Sequence, residues 1–152
     1  MVKIMFVCHG NICRSPMAEF VLRHMVGEKK LSDKFYIASS ATSREEIGNA
    51  VHWGTKSKLN EVGIFCEGKN AVQLTKKDYT MYDYILCMES YNITNALRIV
   101  GEDKAGKIRR LLDFSNRPRN IADPWYTGDF DETYEDITEG CTALLDYILK
   151  NG

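Results

Sequence analysis

The chain opens on Lys3-Ile4-Met5-Phe6-Val7, a short apolar run, and leaves it abruptly through Cys8, His9, Gly10 and Asn11. A run this short, ending at turn-forming residues, reads as a buried strand. A second pattern begins at Pro16. Apolar residues at Met17, Ala18, Phe20, Val21, Leu22, Met25 and Val26 recur at helical spacing, and Gly27 follows as a stop. Proline suits a first helical turn, where its missing N–H would have had no partner. A buried strand that feeds a helix directly commits the chain to a crossover and a parallel return.

The alternation continues downstream. Phe35-Tyr36-Ile37-Ala38 reads as a second strand, and Ser43-Arg44-Glu45-Glu46 has the form of a capping box that opens a short helix. Gly54 to Val62 is a helical segment ended by Gly63, and Thr75 with Asp78 marks another helix start. Tyr84 to Met88 is the strongest apolar strand after the first. A helix around Tyr91 to Val100 and a weaker strand over Lys107 to Leu112 follow. Tyr134, Ile137, Cys141, Leu144, Leu145 and Ile148 form one stripe of a long C-terminal helix. The expected fold is α/β: a small open parallel sheet of about four strands with helices on both faces, a Rossmann-like or flavodoxin-like three-layer sandwich. The 152 residues suit a single domain spanning 1–152.

Composition narrows the function. Twenty basic and 21 acidic side chains leave a net charge of −1, which gives no general pull toward nucleic acid or a membrane surface. The basic run from Lys104 to Arg119 and the acidic run from Asp123 to Glu139 read as solvated surface. No apolar run has the length of a membrane span or signal-peptide core, so a cytoplasmic location is expected. The five cysteines are odd in number and share no spacing, which reads as free thiols in a reducing compartment. Cys8 and Cys13 lack a second close Cys/His pair, and His9, His24 and His52 are scattered, so no metal site is expected. No cofactor motif is present, and the Walker pattern is absent.

The chemistry concentrates between the first strand and the first helix. In an open α/β sheet that loop lies at the carboxyl end of a strand, where ligands bind. A loop entering a helix N-terminus gathers backbone N–H groups and the positive end of the helix dipole, which suits an anion. Gly10 and Asn11 tolerate the left-handed backbone that turns N–H groups inward. Arg14 adds a planar fork of donors that suits phosphate oxygens. Cys8, at the base of this cradle, is favoured as thiolate and faces a bound phosphate as a nucleophile. Taken alone, Cys8 reads as a core thiol and Arg14 as a surface charge, and a cysteine and an arginine with five residues between them are weak evidence. The combination of strand, Cys8, Gly10-Asn11, Arg14-Ser15-Pro16 and helix outweighs both. Ser15 has two readings, a donor to the Cys8 thiolate or a plain helix N-cap.

The string Cys8-His9-Gly10-Asn11-Ile12-Cys13-Arg14-Ser15-Pro16 resembles the phosphate-binding loop of the low-molecular-weight protein tyrosine phosphatases. The likeness continues through Ala41-Thr42-Ser43, Glu46-Ile47-Gly48-Asn49, Asp83 to Met88 and Asp123-Pro124-Trp125-Tyr126, and so covers essentially the whole chain. It implies hydrolysis of phosphotyrosine and small aryl phosphate monoesters through a phosphocysteine. Cys8, Arg14 and Asp123 would be catalytic. His9, Gly10, Asn11, Ile12, Cys13, Arg14, Ser15, Trp125 and Tyr126 would bind phosphate or substrate, with Ser15, Asn11 and Ser39 supporting the loop. The partner is a phosphotyrosine-containing protein or peptide, and neither metal nor cofactor is implied. Asp123 has a physical reason of its own: the departing phenoxide needs a proton that a thiolate cannot supply. Without the Cys8 loop, Asp123-Pro124 reads as a turn. The resemblance also allows Cys13 to form a reversible disulfide with Cys8; otherwise Cys13 packs as a small apolar residue.

The chain departs from the family pattern in two places. Glu45 stands where members often place a cleft aromatic, which disfavours acidic phosphopeptides or simply faces solvent. The histidine that many members carry near Lys69 is missing. Three alternatives share the loop. Arsenate reductase of this fold needs two further redox cysteines; Cys87 matches one, but Thr94 stands where the other is expected. Protein-arginine phosphatases carry threonine where this chain has Ile12. A non-catalytic phosphate-binding module would need neither Cys8 nor Asp123.

Overall fold

The computed structural model describes residues 1–151. Four parallel strands form the sheet: β1 (Val2–Cys8), β2 (Phe35–Ala41), β3 (Tyr84–Cys87) and β4 (Ile108–Arg110), in the order β2-β1-β3-β4. β1 pairs with β2 from Val2↔Phe35 to Cys8↔Ala41, and with β3 from Ile4↔Tyr84 to Val7↔Cys87. It is therefore hydrogen-bonded along both edges, and its residues are buried toward core layers on both faces, which explains its continuous apolar sequence. The chain runs to one side of β1 to make β2 and to the other to make β3. The carboxyl end of β1, where Cys8 sits, is the point at which strand order reverses and where such sheets open a crevice.

Alternation along the strands sorts the core into two layers. Ile4, Phe6 and Cys8 face α1 (Arg14–Glu28) and α6 (Phe130–Asn151), with α2 (Trp53–Glu61) alongside. Met5, Val7, Ile85 and Cys87 face the opposite layer, formed by α3 (Lys76–Met81) and α4 (Ser90–Val100). A short helix, α5 (Pro124–Thr127), precedes α6.

Four local differences from the sequence reading have identifiable causes. Gly27 does not stop α1, which runs on to Glu28 and closes with the Lys29 and Lys30 N–H groups on the carbonyls of Met25 and Gly27. The predicted helix at Ser43 is a turn: its acids are engaged elsewhere, Glu45 with His9 and Glu46 with Asn49, and the Ser43 N–H goes to the His9 carbonyl. β2 extends through Ser39, Ser40 and Ala41, past the point where serines end the apolar pattern. β4 is shorter than the Lys107–Leu112 pattern because Asp113 binds both the Arg110 backbone N–H and its guanidinium, coiling Leu111–Phe114 into a 3-10 turn. The Thr75–Asp78 capping box forms as read.

Candidate active site

The β1–α1 loop is shaped from outside. Its carbonyls at Cys8, His9 and Ile12 accept from the N–H groups of Thr42, Ser43 and His52, and that of Cys13 accepts from the Thr55 hydroxyl. With the carbonyls turned away, the N–H groups of Asn11 and Ser15 point at Cys8 Sγ from 3.3 and 3.4 Å. Asn11 makes the required left-handed step at φ +59°. Its fully buried side chain holds the step in place. Oδ1 accepts from the Val72 N–H at 3.1 Å, while Nδ2 donates to Ser15 Oγ at 2.7 Å and to Ser39 Oγ at 3.0 Å.

Cys8 is buried at the floor, with Ser15 Oγ 3.0 Å from its sulfur. Ser15 lies inside the first turn of α1. The N-cap is Cys13, whose side chain makes no capping bond. Ser15 is thus not the N-cap, and its hydroxyl lies within hydrogen-bond reach of Cys8 Sγ. Burial, reinforced by the nearby Cys8 and Asp123 charges, pushes the Cys13 thiol up to about 12, so it sits in the loop as a protonated, compact group. Burial likewise raises the thiols of Cys66, Cys87 and Cys141, away from the cleft.

Arg14 is 1% exposed. Nη1 donates to the Ile121 carbonyl at 2.8 Å, and Nη2 lies 3.4 Å from both Glu89 Oε1 and Asp123 Oδ2. Ile121 is itself tied back by its N–H to the Met88 carbonyl. Asp123 caps α5: Oδ1 accepts from the Trp125 N–H at 3.0 Å, and Pro124 occupies the first turn. One carboxylate oxygen is thus spent on the cap, and the other faces the guanidinium.

These groups border a cleft of about 410 Å³. Cys8, His9, Gly10, Ile12, Cys13 and Arg14 form its base, and Asp123, Trp125 and Tyr126 form one wall. Asn11, Ser15 and Ser39, expected at the site, stand behind the loop and do not line the cleft, although the Asn11 N–H does reach Cys8. Trp125 and Tyr126 are 58% and 84% exposed. His52 props Trp125 edge-on at 5.4 Å while stacking on Phe130. The facing wall is acidic. Glu45 pairs with His9, and Glu46 accepts from Asn49 Nδ2 at 2.6 Å. Glu45 therefore borders the cleft with a side chain that is still largely exposed.

Glu89, Glu19 and His52 were not legible as site residues. Glu89 follows the carboxyl end of β3, next to the reversal of strand order, and that position is its only sequence signal. Glu19 shares a helix face with Ser15 and Arg23 at four-residue spacing. Among the described residues, no group of three or more His, Cys, Asp and Glu side chains is placed to hold a metal ion, and no helix is long and apolar enough to cross a membrane.

Residues 3–152 match the family model described as low molecular weight phosphotyrosine protein phosphatase. The low molecular weight protein-tyrosine-phosphatase YfkJ of Bacillus subtilis is 38% identical over 99% of this chain and 97% of its own. PtpA of Staphylococcus epidermidis, of the same description, is 35% identical over 99% of this chain and 96% of its own. The crystal structure of YfkJ superposes with a TM-score of 0.95, covering 99% of this chain and 96% of that one. The low molecular weight protein tyrosine phosphatase SP-PTP of Streptococcus pyogenes superposes with a TM-score of 0.87 at 40% identity, covering 97% and 93%.

Proposed function

Because this chain belongs to the low molecular weight protein tyrosine phosphatase family, we propose that the cleft over Cys8 hydrolyses phosphotyrosine and small aryl phosphates through a phosphocysteine. In the first step Cys8 Sγ attacks phosphorus in line. The S–P bond forms, the bond from phosphorus to the phenolic oxygen breaks, and Asp123 gives that oxygen its proton. In the second step water attacks the phosphocysteine, Asp123 takes the water proton, and phosphate leaves with Cys8 restored as thiolate. Through both steps the negative charge stays on the non-bridging oxygens. Arg14 and the loop N–H groups are already in place for them, so little reorganisation accompanies the transition state. Ser15 donates to the sulfur and stabilises the thiolate both as nucleophile and as leaving group. Trp125 and Tyr126 flank the aromatic ring, and Ile12 keeps the base of the cleft apolar.

One observation carries this reading: Cys8 Sγ is met by two N–H groups and one hydroxyl, at the foot of a cleft bordered by a buried arginine and Asp123. The substrates are phosphotyrosine proteins, and the five free thiols suit the reducing cytoplasm. Neither metal nor cofactor takes part. Hydrolysis of p-nitrophenyl phosphate in EDTA tests the reading. Wild type is expected to turn over, Cys8→Ser to be inactive, and Asp123→Asn to be strongly slowed. Inactive, folded and reduced wild type would overturn it.

A further inference from the structure

Behind the loop, on the side away from the cleft, lies a buried carboxylate that the steps above do not use. Glu19 is 3% exposed, although α1 could have turned an acid to solvent. One of its oxygens forms an ion pair with Arg23 Nη2 at 2.7 Å, which supplies the counter-charge a buried carboxylate requires. The other accepts from the Ser39 hydroxyl at 2.6 Å. Lys69 donates to the Ser39 carbonyl at 2.9 Å, and burial holds its ammonium below the ordinary lysine range while Glu19 works against that shift. The plain reading of Glu19 is an ion pair one helical turn from Arg23. That reading leaves the short bond to Ser39 without a purpose.

Counting donors and acceptors gives it one. An ionised carboxylate only accepts, so the single Ser39 proton goes to Glu19. Ser39 Oγ is then an acceptor toward Asn11 Nδ2. The Asn11 amide is held in that sense by the Val72 N–H on Oδ1, and its two Nδ2 protons go to Ser39 and Ser15. Ser15 Oγ, already accepting from Asn11, has its own proton left to give. Its two outlets are Cys8 Sγ at 3.0 Å and the Ser40 carbonyl at 3.4 Å, and the nearer is the sulfur.

We propose that Glu19 is a positioning residue: by taking the Ser39 proton its carboxylate fixes the Ser39 hydroxyl as an acceptor that anchors the Asn11 amide, and Asn11 in turn holds the Ser15 hydroxyl toward the Cys8 sulfur. The inference rests on the reading of Cys8 as the nucleophile and extends it to a residue that never meets substrate. In Glu19→Gln the amide oxygen goes to Arg23, which only donates. The NH2 then faces Ser39 Oγ, the Ser39 proton loses its acceptor, and the Asn11–Ser15 arrangement loosens.

The test is the pH dependence of Cys8 alkylation by iodoacetamide, followed on the Cys8 peptide by mass spectrometry. It reads the thiolate without turnover. Two effects of Glu19→Gln oppose each other. Removing a negative charge makes the thiolate easier to form and moves the midpoint to lower pH. Losing the oriented Ser15 donor moves it higher. The expected result is a rise of roughly one pH unit, the scale of one weakened hydrogen bond to a charged group, with kcat/KM below the midpoint lower by about tenfold. Ser39→Ala cuts the hydrogen-bond chain at its next link and leaves the Glu19–Arg23 pair intact. It should raise the midpoint likewise, and the double variant should add little to either single change. If Glu19→Gln does not fold, Ser39→Ala carries the test alone. An unchanged or lowered midpoint in a folded variant overturns the inference. Turnover retained by Cys8→Ser would instead overturn the nucleophile itself, so the two failures are distinguishable.

Discussion

Asn11→Ala tests whether the loop is held by one side chain. Asn11 is 1% exposed and makes three side-chain hydrogen bonds, to Ser15, Ser39 and the Val72 N–H. At about 1 kcal/mol net for each buried bond, their loss costs about 3 kcal/mol. Alanine at φ +59° adds about 1 kcal/mol of left-handed backbone cost. A destabilisation near 4 kcal/mol in a chain of this size lowers Tm by about 10 °C, which calorimetry or circular dichroism would detect. Activity should fall more than stability alone explains, because the Ser15 hydroxyl loses its anchor. A drop in kcat/KM of at least about tenfold is expected at a temperature where the variant is fully folded. Asn11→Gly separates the two contributions: it relieves the left-handed backbone but restores no hydrogen bond, so activity should stay low. If Asn11→Gly recovers wild-type turnover, or if Asn11→Ala melts within about 3 °C of wild type, the side chain does not hold the loop and the reasoning is wrong.

Other outcomes follow from the same geometry. Asp123→Asn should lower kcat by about 10²–10⁴ with phenyl phosphate and less with p-nitrophenyl phosphate, whose leaving group needs less protonation; equal losses on both substrates would contradict a proton-donor role. Glu45→Gln thins the acidic wall of the cleft, so kcat/KM for an acidic phosphotyrosine peptide should rise a few-fold relative to a neutral one; an unchanged ratio would show that Glu45 does not read the peptide. Asp103 carries an acid-sensitive tie. Burial works to raise its carboxyl, but the Tyr79 hydroxyl and the N–H groups of Ile108, Lys107 and Gly106 outweigh it and hold the carboxyl below the ordinary aspartate range. A lowered folded value means the stabilisation is present above the unfolded range, near pH 4, and is lost as pH falls through the folded value. Urea titrations should therefore show a shallower acid-side loss of stability in Asp103→Asn than in wild type, and parallel curves would remove Asp103 from the account.

What the sequence revealed and what it hid follow one physical division. Cys8 through Pro16 are contiguous, and their loop is a local consequence of a buried strand running into a helix, so the anion cradle was legible in one string. Asp123 was singled out on chemical grounds, since a departing phenoxide would need a proton, but only beside the Cys8 loop; read alone, Asp123-Pro124 is a turn. The surroundings of Arg14 were not. Glu89 and the Ile121 carbonyl reach it from the ends of distant segments, and no local pattern specifies which groups a crossover brings together. Glu19 was hidden differently: it sits between Ala18 and Phe20, and an apolar-stripe reading assigns a lone acid there to solvent. The Ser43 capping box failed because Glu45, Glu46 and the Ser43 N–H found tertiary partners that a helix would have forfeited. Ser39 and Ser40 extended β2 because pairing with Phe6 and Val7 of β1 outweighed their weak strand preference.

The central claim is a covalent bond between phosphorus and Cys8 Sγ. Rapid acid quench of the enzyme during turnover of an aryl phosphate, followed by peptide mass spectrometry, tests it most directly. The account expects one phosphoryl group on the peptide carrying Cys8, formed within the first turnover and absent from Cys8→Ser. Full turnover with no phosphoryl group on Cys8, or with the group on another residue, would contradict it.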